Sequence, residues 1–167
     1  MLSFANMDAI TMLKRQHREV SDLFERFHKA RAAKQKREIF ENIADALAVH
    51  AAIEEKHFYP SVKKKATEDI LRESVEEHLQ IKRVIADLLD LDPSDASFAA
   101  KVKVLQDDVE HHVEEEEKDL FPKVKKLLDA EELASIAAEM QEMQAELEGE
   151  GDPRQMVPQE TERAAPI

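Results

Sequence analysis

His50-Ala51-Ala52-Ile53-Glu54-Glu55-Lys56-His57-Phe58-Tyr59-Pro60 has a counterpart later in the chain, His112-Val113-Glu114-Glu115-Glu116-Glu117-Lys118-Asp119-Leu120-Phe121-Pro122. Each copy holds a histidine, a glutamate four residues on, and an aromatic-Pro pair. Four residues is just over one helical turn, so the His and Glu of each copy project from the same face. That face reads as metal-binding, and the rest of the chain as a scaffold that brings two such faces together.

The flanking segments have helical periodicity. A first helix, capped by Asn6 or Asp8 and reaching about Ala32, has the stripe Ile10, Leu13, Val20, Phe24, Phe27, with His17 inside it. After a basic turn at Ala33 to Lys36, a second helix runs from about Arg37 to Phe58. Its stripe is Phe40, Ile43, Leu47, His50, Glu54, Phe58, and Pro60 should end or bend it. Thr67 is the expected N-cap of a third helix reaching about Leu91, with Leu71, Val75, His78, Ile81, Ile85 and Leu88 or Leu89 along one face. Asp92-Pro93-Ser94-Asp95 is a turn. The fourth helix, about Ser97 to Phe121, shows Phe98, Val102, Leu105, Val109, His112, Glu116, Leu120, with a short continuation from Lys123 to Leu128. A fifth, about Ala130 to Leu147, carries Leu133, Ile136, Met140, Met143 and Leu147. It either packs on the bundle or offers a dimer or partner surface. Residues 149–167, rich in Gly, Pro, Gln and Glu, are expected to be a disordered tail.

The predicted fold is all-α: an up-down-up-down four-helix bundle over about 8–128 with an additional C-terminal helix over about 130–148, forming one domain over 1–148. In such a bundle, residues equidistant from a turn lie at one level. The midpoints of His17/His50, His50/His78 and His78/His112 fall near Ala33, at Lys64 and at Asp95, all in predicted turns. All four histidines therefore fall in one layer. Six buried polar groups in one core would cost several kcal/mol each unless paired or coordinated. Imidazole and carboxylate without thiolate suit iron, zinc or manganese, and the number of ligands suits two ions. His17 and His50 would hold one and His78 and His112 the other, with Glu54 and Glu116 bridging.

Composition excludes other classes. A net charge of -13 argues against nucleic acid, and the absence of cysteine removes thiolate chemistry. No apolar run suits a membrane span and the first residues lack the pattern of a secretory signal, so a soluble cytoplasmic protein is expected.

The ordered set His17, His50-x-x-x-Glu54, His78, His112-x-x-x-Glu116, with its aromatic-Pro pairs, resembles the hemerythrin-like, or HHE cation-binding, domain over about Asp8 to Leu128. The resemblance implies two iron ions with an oxo or hydroxo bridge, open to O2, nitric oxide or peroxide. Two departures separate this chain from the oxygen-carrying hemerythrins. Ser74 and Lys82 flank the third-helix ligand where those proteins have a further histidine, and Glu116 stands in place of an aspartate. They point away from reversible oxygen transport, toward scavenging, sensing or weak catalase-like turnover by a peroxide- or nitric-oxide-consuming oxidoreductase. The alternative is a structural or iron-storing metal site with a partner-docking fifth helix.

Two other registers compete. His111 with Glu115 could replace His112 with Glu116, but the repeat and the stripe favour the latter. Glu54-x-x-His57 matches one half of a ferritin-like motif, but the second copy offers Asp119 where another histidine is needed. Glu77, Glu115 and Tyr59 are expected just outside the ligand set, and Leu13, Leu47, Val75, Ile81, Leu105 and Val109 to form an apolar pocket around it.

Overall fold

Asp8 begins the first helix: its carboxylate accepts the Thr11 N–H at 2.8 Å, satisfying one of the amides that a helix start leaves free. The computed structural model describes residues 7–167, so the alternative cap, Asn6, lies outside the described residues. Helix α1 spans Ala9–Lys29 and α2 Ala33–Ile53. α2 continues through a π-helical turn, Glu54–Phe58, into the short α3, Tyr59–Val62. α4 spans Glu68–Leu89. α5, Ala96–Glu115, passes through a second π turn, Glu116–Leu120, into α6, Phe121–Leu127. α7, Ala130–Gly149, follows. Among the described residues there is no strand, and no helix is long and apolar enough to cross a membrane. The fold is the expected helical bundle with a further helix.

Several boundaries differ from expectation. The first turn is Ala30 to Ala32 rather than Ala33 to Lys36. Ala30 and Ala32 adopt extended backbone with no Gly or Pro to mark them. Thr67 stands at the N-cap position of α4 as expected, but its side chain bonds none of the helix's free amides. Its hydroxyl lies 2.8 Å from the Val62 carbonyl and accepts the Lys64 N–H at 2.9 Å, closing the preceding turn instead. Asp95 caps α5 through the Ser97 N–H, and Asp129 with Glu132 forms a capping box on α7.

Pro60 and Pro122 do not end their helices. A proline cannot donate to the carbonyl four residues back, and its ring collides with that carbonyl. The chain widens by one residue instead. The Tyr59 N–H reaches the Glu54 carbonyl and the Phe121 N–H the Glu116 carbonyl, each five residues back.

α1 packs along α2 and α4 along α5, whereas α2 and α4 meet only briefly. The four stripes are buried as expected. The core is divided, however, into two apolar clusters. One holds Phe24, Phe27, Phe40, Ile43, Phe98 and Leu105. The other holds Ile10, Leu13, Phe58, Phe121 and the buried face of α7, namely Leu133, Ile136, Ala137 and Met140. α7 thus covers the bundle along α1, α2 and the first π turn.

The tail expected to be disordered is ordered. Pro153–Glu160 forms a 3-10 helix against α2 and α4, with Val157 buried in the first cluster. Its polar composition hid this, because ion pairs hold it: the Arg154 guanidinium meets Asp45 at 3.0 Å and Lys82 meets Glu160 at 3.1 Å.

Phe98 is fully buried against Phe27 and Phe40, at ring distances of 6.1 and 5.6 Å. Phe98→Ala should cost about 3–5 kcal/mol in urea unfolding, and Val104→Ala, at an exposed site of the same helix, less than about 0.5 kcal/mol. Similar losses for both would contradict this packing.

Candidate metal centre

Between the two apolar clusters lies a layer of six buried side chains: His17, His50, Glu54, His78, His112 and Glu116. The two sequence repeats supply four of them from α2, α5 and the starts of the π turns, and α1 and α4 supply one histidine each. The rings of His17 and His50 are 4.9 Å apart and those of His78 and His112 4.6 Å. His50 Nε2 lies 2.9 Å from Glu54 Oε1, His17 Nε2 3.3 Å from Glu116 Oε1, His78 Nε2 3.3 Å from Glu54 Oε1 and His112 Nε2 3.2 Å from Glu116 Oε1. Within the layer two groups of donor atoms are close enough for one cation each: His17, His50, Glu54 and Glu116, and Glu54, His78 and His112; a third such group, Glu77, His111 and Glu115, lies outside it with His111 exposed. Glu54 belongs to both groups of the layer.

The outer nitrogens explain why the inner ones face the centre. His78 Nδ1 is 2.9 Å from Glu55, His112 Nδ1 2.9 Å from Glu77, and His50 Nδ1 2.7 Å from Gln16 Oε1. Glu117 approaches His17 Nδ1 at 3.5 Å. An acceptor at Nδ1 fixes the proton there and leaves the Nε2 lone pair for a cation. His78 and His112 then bring two Nε2 atoms to 3.0 Å, an arrangement two lone pairs tolerate only around a positive charge. The Tyr59 hydroxyl donates to Glu116 Oε2 at 3.1 Å.

Gln16, Glu55 and Glu117 did not stand out in the sequence, although each adjoins a site residue. The aromatic-Pro pairs gain a purpose too: Tyr59 stacks on His78 and Phe121 on His17, each repeat supporting the other half's histidine. His111 is exposed, with Glu77 and Glu115 beside it, and His57 lies near Glu139 at the surface. Ser74 and Lys82 are both buried, the Lys82 ammonium sitting 2.9 Å from Glu55.

Electrostatics follow from burial against pairing. Burial pushes the Glu54 carboxyl up, but His50 beside it, with Glu116 and His112, overrides this and holds it well below the usual carboxylate range. Burial lowers His112, yet Glu116 raises it well above its ordinary value. His17 and His78 are raised in the same way, by Glu116 and by Glu54 respectively. Burial, then Glu116 and Glu54, push the Tyr59 hydroxyl up, so it stays a donor.

Protons alone do not satisfy the layer. Both ring nitrogens of His17, Nε2 of His50, both Glu54 oxygens and Glu116 Oε1 are buried without an aligned hydrogen-bond partner. Such atoms cost about 1–3 kcal/mol each, more when charged. The donor set therefore fits bound metal.

Against the layer lies a cavity of about 30 Å³, walled by Val20, Leu47, Ile81, Ile85, Val109 and Val157. Leu47, Ile81 and Val109 were expected there. Leu13, Val75 and Leu105 do not line it.

A family model described as the hemerythrin HHE cation binding domain matches residues 8–124. The chain is 27% identical over 143 residues to a protein of Nostoc sp. named DNA nickase. The match covers 86% of this chain and 41% of that one, so the chain spans less than half the length of this curated relative. Its fold is similar to the crystal structure of a hemerythrin HHE cation-binding domain-containing protein of Mycobacterium kansasii. That match has a TM-score of 0.74 and 22% identity, and covers 91% of this chain and 98% of the other. With the matched region reaching from the cap of α1 into α6 and enclosing all six converging side chains, the chain belongs to the hemerythrin HHE cation-binding domain family.

Proposed function

We propose that this protein is a non-haem di-iron protein that binds or reacts with O2, nitric oxide or peroxide. His17 and His50 would hold one ion and His78 and His112 the other, with Glu54 and Glu116 shared between them. The observation that carries the reading is the group of buried, unpartnered imidazole and carboxylate atoms, whose histidines line a small apolar cavity. Iron held there would supply redox chemistry and an open position for a small ligand. The chain does the rest. Gln16, Glu55 and Glu77 orient the imidazoles, and the valine and isoleucine walls exclude water. The Tyr59 hydroxyl holds a proton beside Glu116 and the cavity admits only a few atoms.

Freshly purified protein should contain about two iron per chain. Its near-ultraviolet bands should change when air is admitted to the reduced form and again with azide. His50→Ala or Glu116→Ala should remove most of the metal and His57→Ala almost none. A colourless zinc protein, or equal loss in all three variants, would defeat the reading.

Metal and protons should compete. Without metal, the raised His17, His78 and His112 give stability that is fully present below about pH 6.5 and lost as pH rises through their higher folded values. The lowered Glu54 gives stability present above about pH 4.5 and lost as pH falls through its folded value. Metal requires neutral imidazoles, so the loaded protein should gain stability as pH rises. Thermal melts above about pH 6.5 should therefore slope in opposite directions with and without chelator. Parallel slopes would rule the competition out.

Glu77→Gln gives His112 an amide acceptor like that of His50. It should weaken metal affinity about 10–100-fold in competition with a chromophoric chelator, while leaving the fold intact.

A further inference from the structure

The 3-10 helix Pro153–Glu160 lies where α2 and α4 leave a seam, and Val157, only 2% exposed, projects from it into the wall of the cavity beside the metal layer. The rest of that wall comes from the bundle. The segment is fastened on both sides of the seam. On α2, Asp45 accepts the Arg154 backbone N–H at 2.9 Å and pairs with its guanidinium at 3.0 Å. On α4, Lys82 bridges Glu160 at 3.1 Å and Glu55 at 2.9 Å, and Glu55 in turn meets His78 Nδ1. Arg83 donates to the Thr161 carbonyl at 2.9 Å.

We propose that the C-terminal 3-10 helix is a removable wall of the ligand pocket, with Val157 setting which molecules reach the metal pair and how fast. The inference rests on the di-iron reading for its ligand class, small anions and diatomics. A local opening of the segment uncovers Val157 and the partly buried Met156 and breaks the Arg154–Asp45 and Lys82–Glu160 ion pairs, leaving the four helices packed. Such an element opens far more often than the bundle unfolds. Val157 closes the cavity on the side of the seam between α2 and α4, so passage by that route is tied to the opening of the segment.

The test uses the full chain and the variants Val157→Ala, which shortens the wall, and Arg154→Ala, which loosens its fastening from outside the pocket. With azide as probe, association to the metal-loaded protein followed by stopped flow should accelerate about tenfold in Val157→Ala, the equilibrium equivalent of two buried methyl groups. It should also accelerate in Arg154→Ala, with metal content unchanged in both. In metal-free protein, diethyl pyrocarbonate should modify His17, His50, His78 and His112 faster in both variants. The exposed His111, with His28 and His57 outside the pocket, should react at unaltered rates as internal controls. Unchanged azide rates together with unchanged modification would overturn the proposal. They would mean that ligand enters instead by the groove between α1 and α5, lined by Val20, Ser21, Val113 and Glu114. Absence of metal from the unaltered chain would instead be a failure of the di-iron reading, and the modification rates would still decide the role of the wall.

Discussion

A layer of six polar side chains lies across the middle of an otherwise apolar bundle, and the architecture answers to it. An apolar core gains stability by excluding water, while each buried imidazole or carboxylate gives up its hydration. The chain gathers all six at one level, where bound metal could compensate them together. The apolar residues are consequently divided into two clusters, one above and one below the layer. Phe27, Phe40 and Phe98 consolidate one end. α7, which follows the four bundle helices, completes the other.

The repeat generates more than two His–Glu pairs. Each copy contributes a histidine and a glutamate to the layer, then an adjoining glutamate and an aromatic ring to the opposite half. Glu55 and Tyr59 from the first copy serve His78; Glu117 and Phe121 from the second serve His17. The π turns make this exchange geometrically accessible. One added residue shifts the phase of all that follows by about 100° around the helix axis, turning residues that would otherwise lie elsewhere toward the partner half. Because each half is completed by the other, the layer belongs to the assembled bundle rather than to either helical pair.

Much of this was legible in the sequence because helical periodicity and turn spacing translate directly into faces and levels. His17, His50, His78 and His112 each sit in an apolar stripe, and the midpoint construction placed them together. Other features escaped for physical reasons. Proline signals a broken α-helical hydrogen bond but does not say whether the chain stops or widens, so the π turns were not foreseen at Pro60 and Pro122. Gln16 and Glu55 lie beside the stripes, where a polar residue reads as solvated. Their role depends on which neighbouring helix supplies the imidazole. The segment after Gly149 has the composition of a solvated tail, and what holds it lies across more than seventy residues: the pairing of Arg154 with Asp45 and of Lys82 with Glu160, beside the burial of Val157.

Symmetry in the repeat also shows where the two halves part. His112 rests on a carboxylate, Glu77, where His50 rests on the neutral amide of Gln16. His78 rests on the buried Glu55, His17 on the half-exposed Glu117 at a longer distance. Tyr59 carries a hydroxyl to Glu116 that Phe121 cannot match. A carboxylate at Nδ1 raises imidazole basicity more than an amide does, and burial keeps water from weakening that effect. The His78/His112 half therefore has the closer carboxylate support at its outer nitrogens, although Lys82 offsets part of the charge of Glu55. Two cations in this layer would be held unequally, by a chain whose repeated helices make the two positions alike in shape while their outer partners make them unlike in charge.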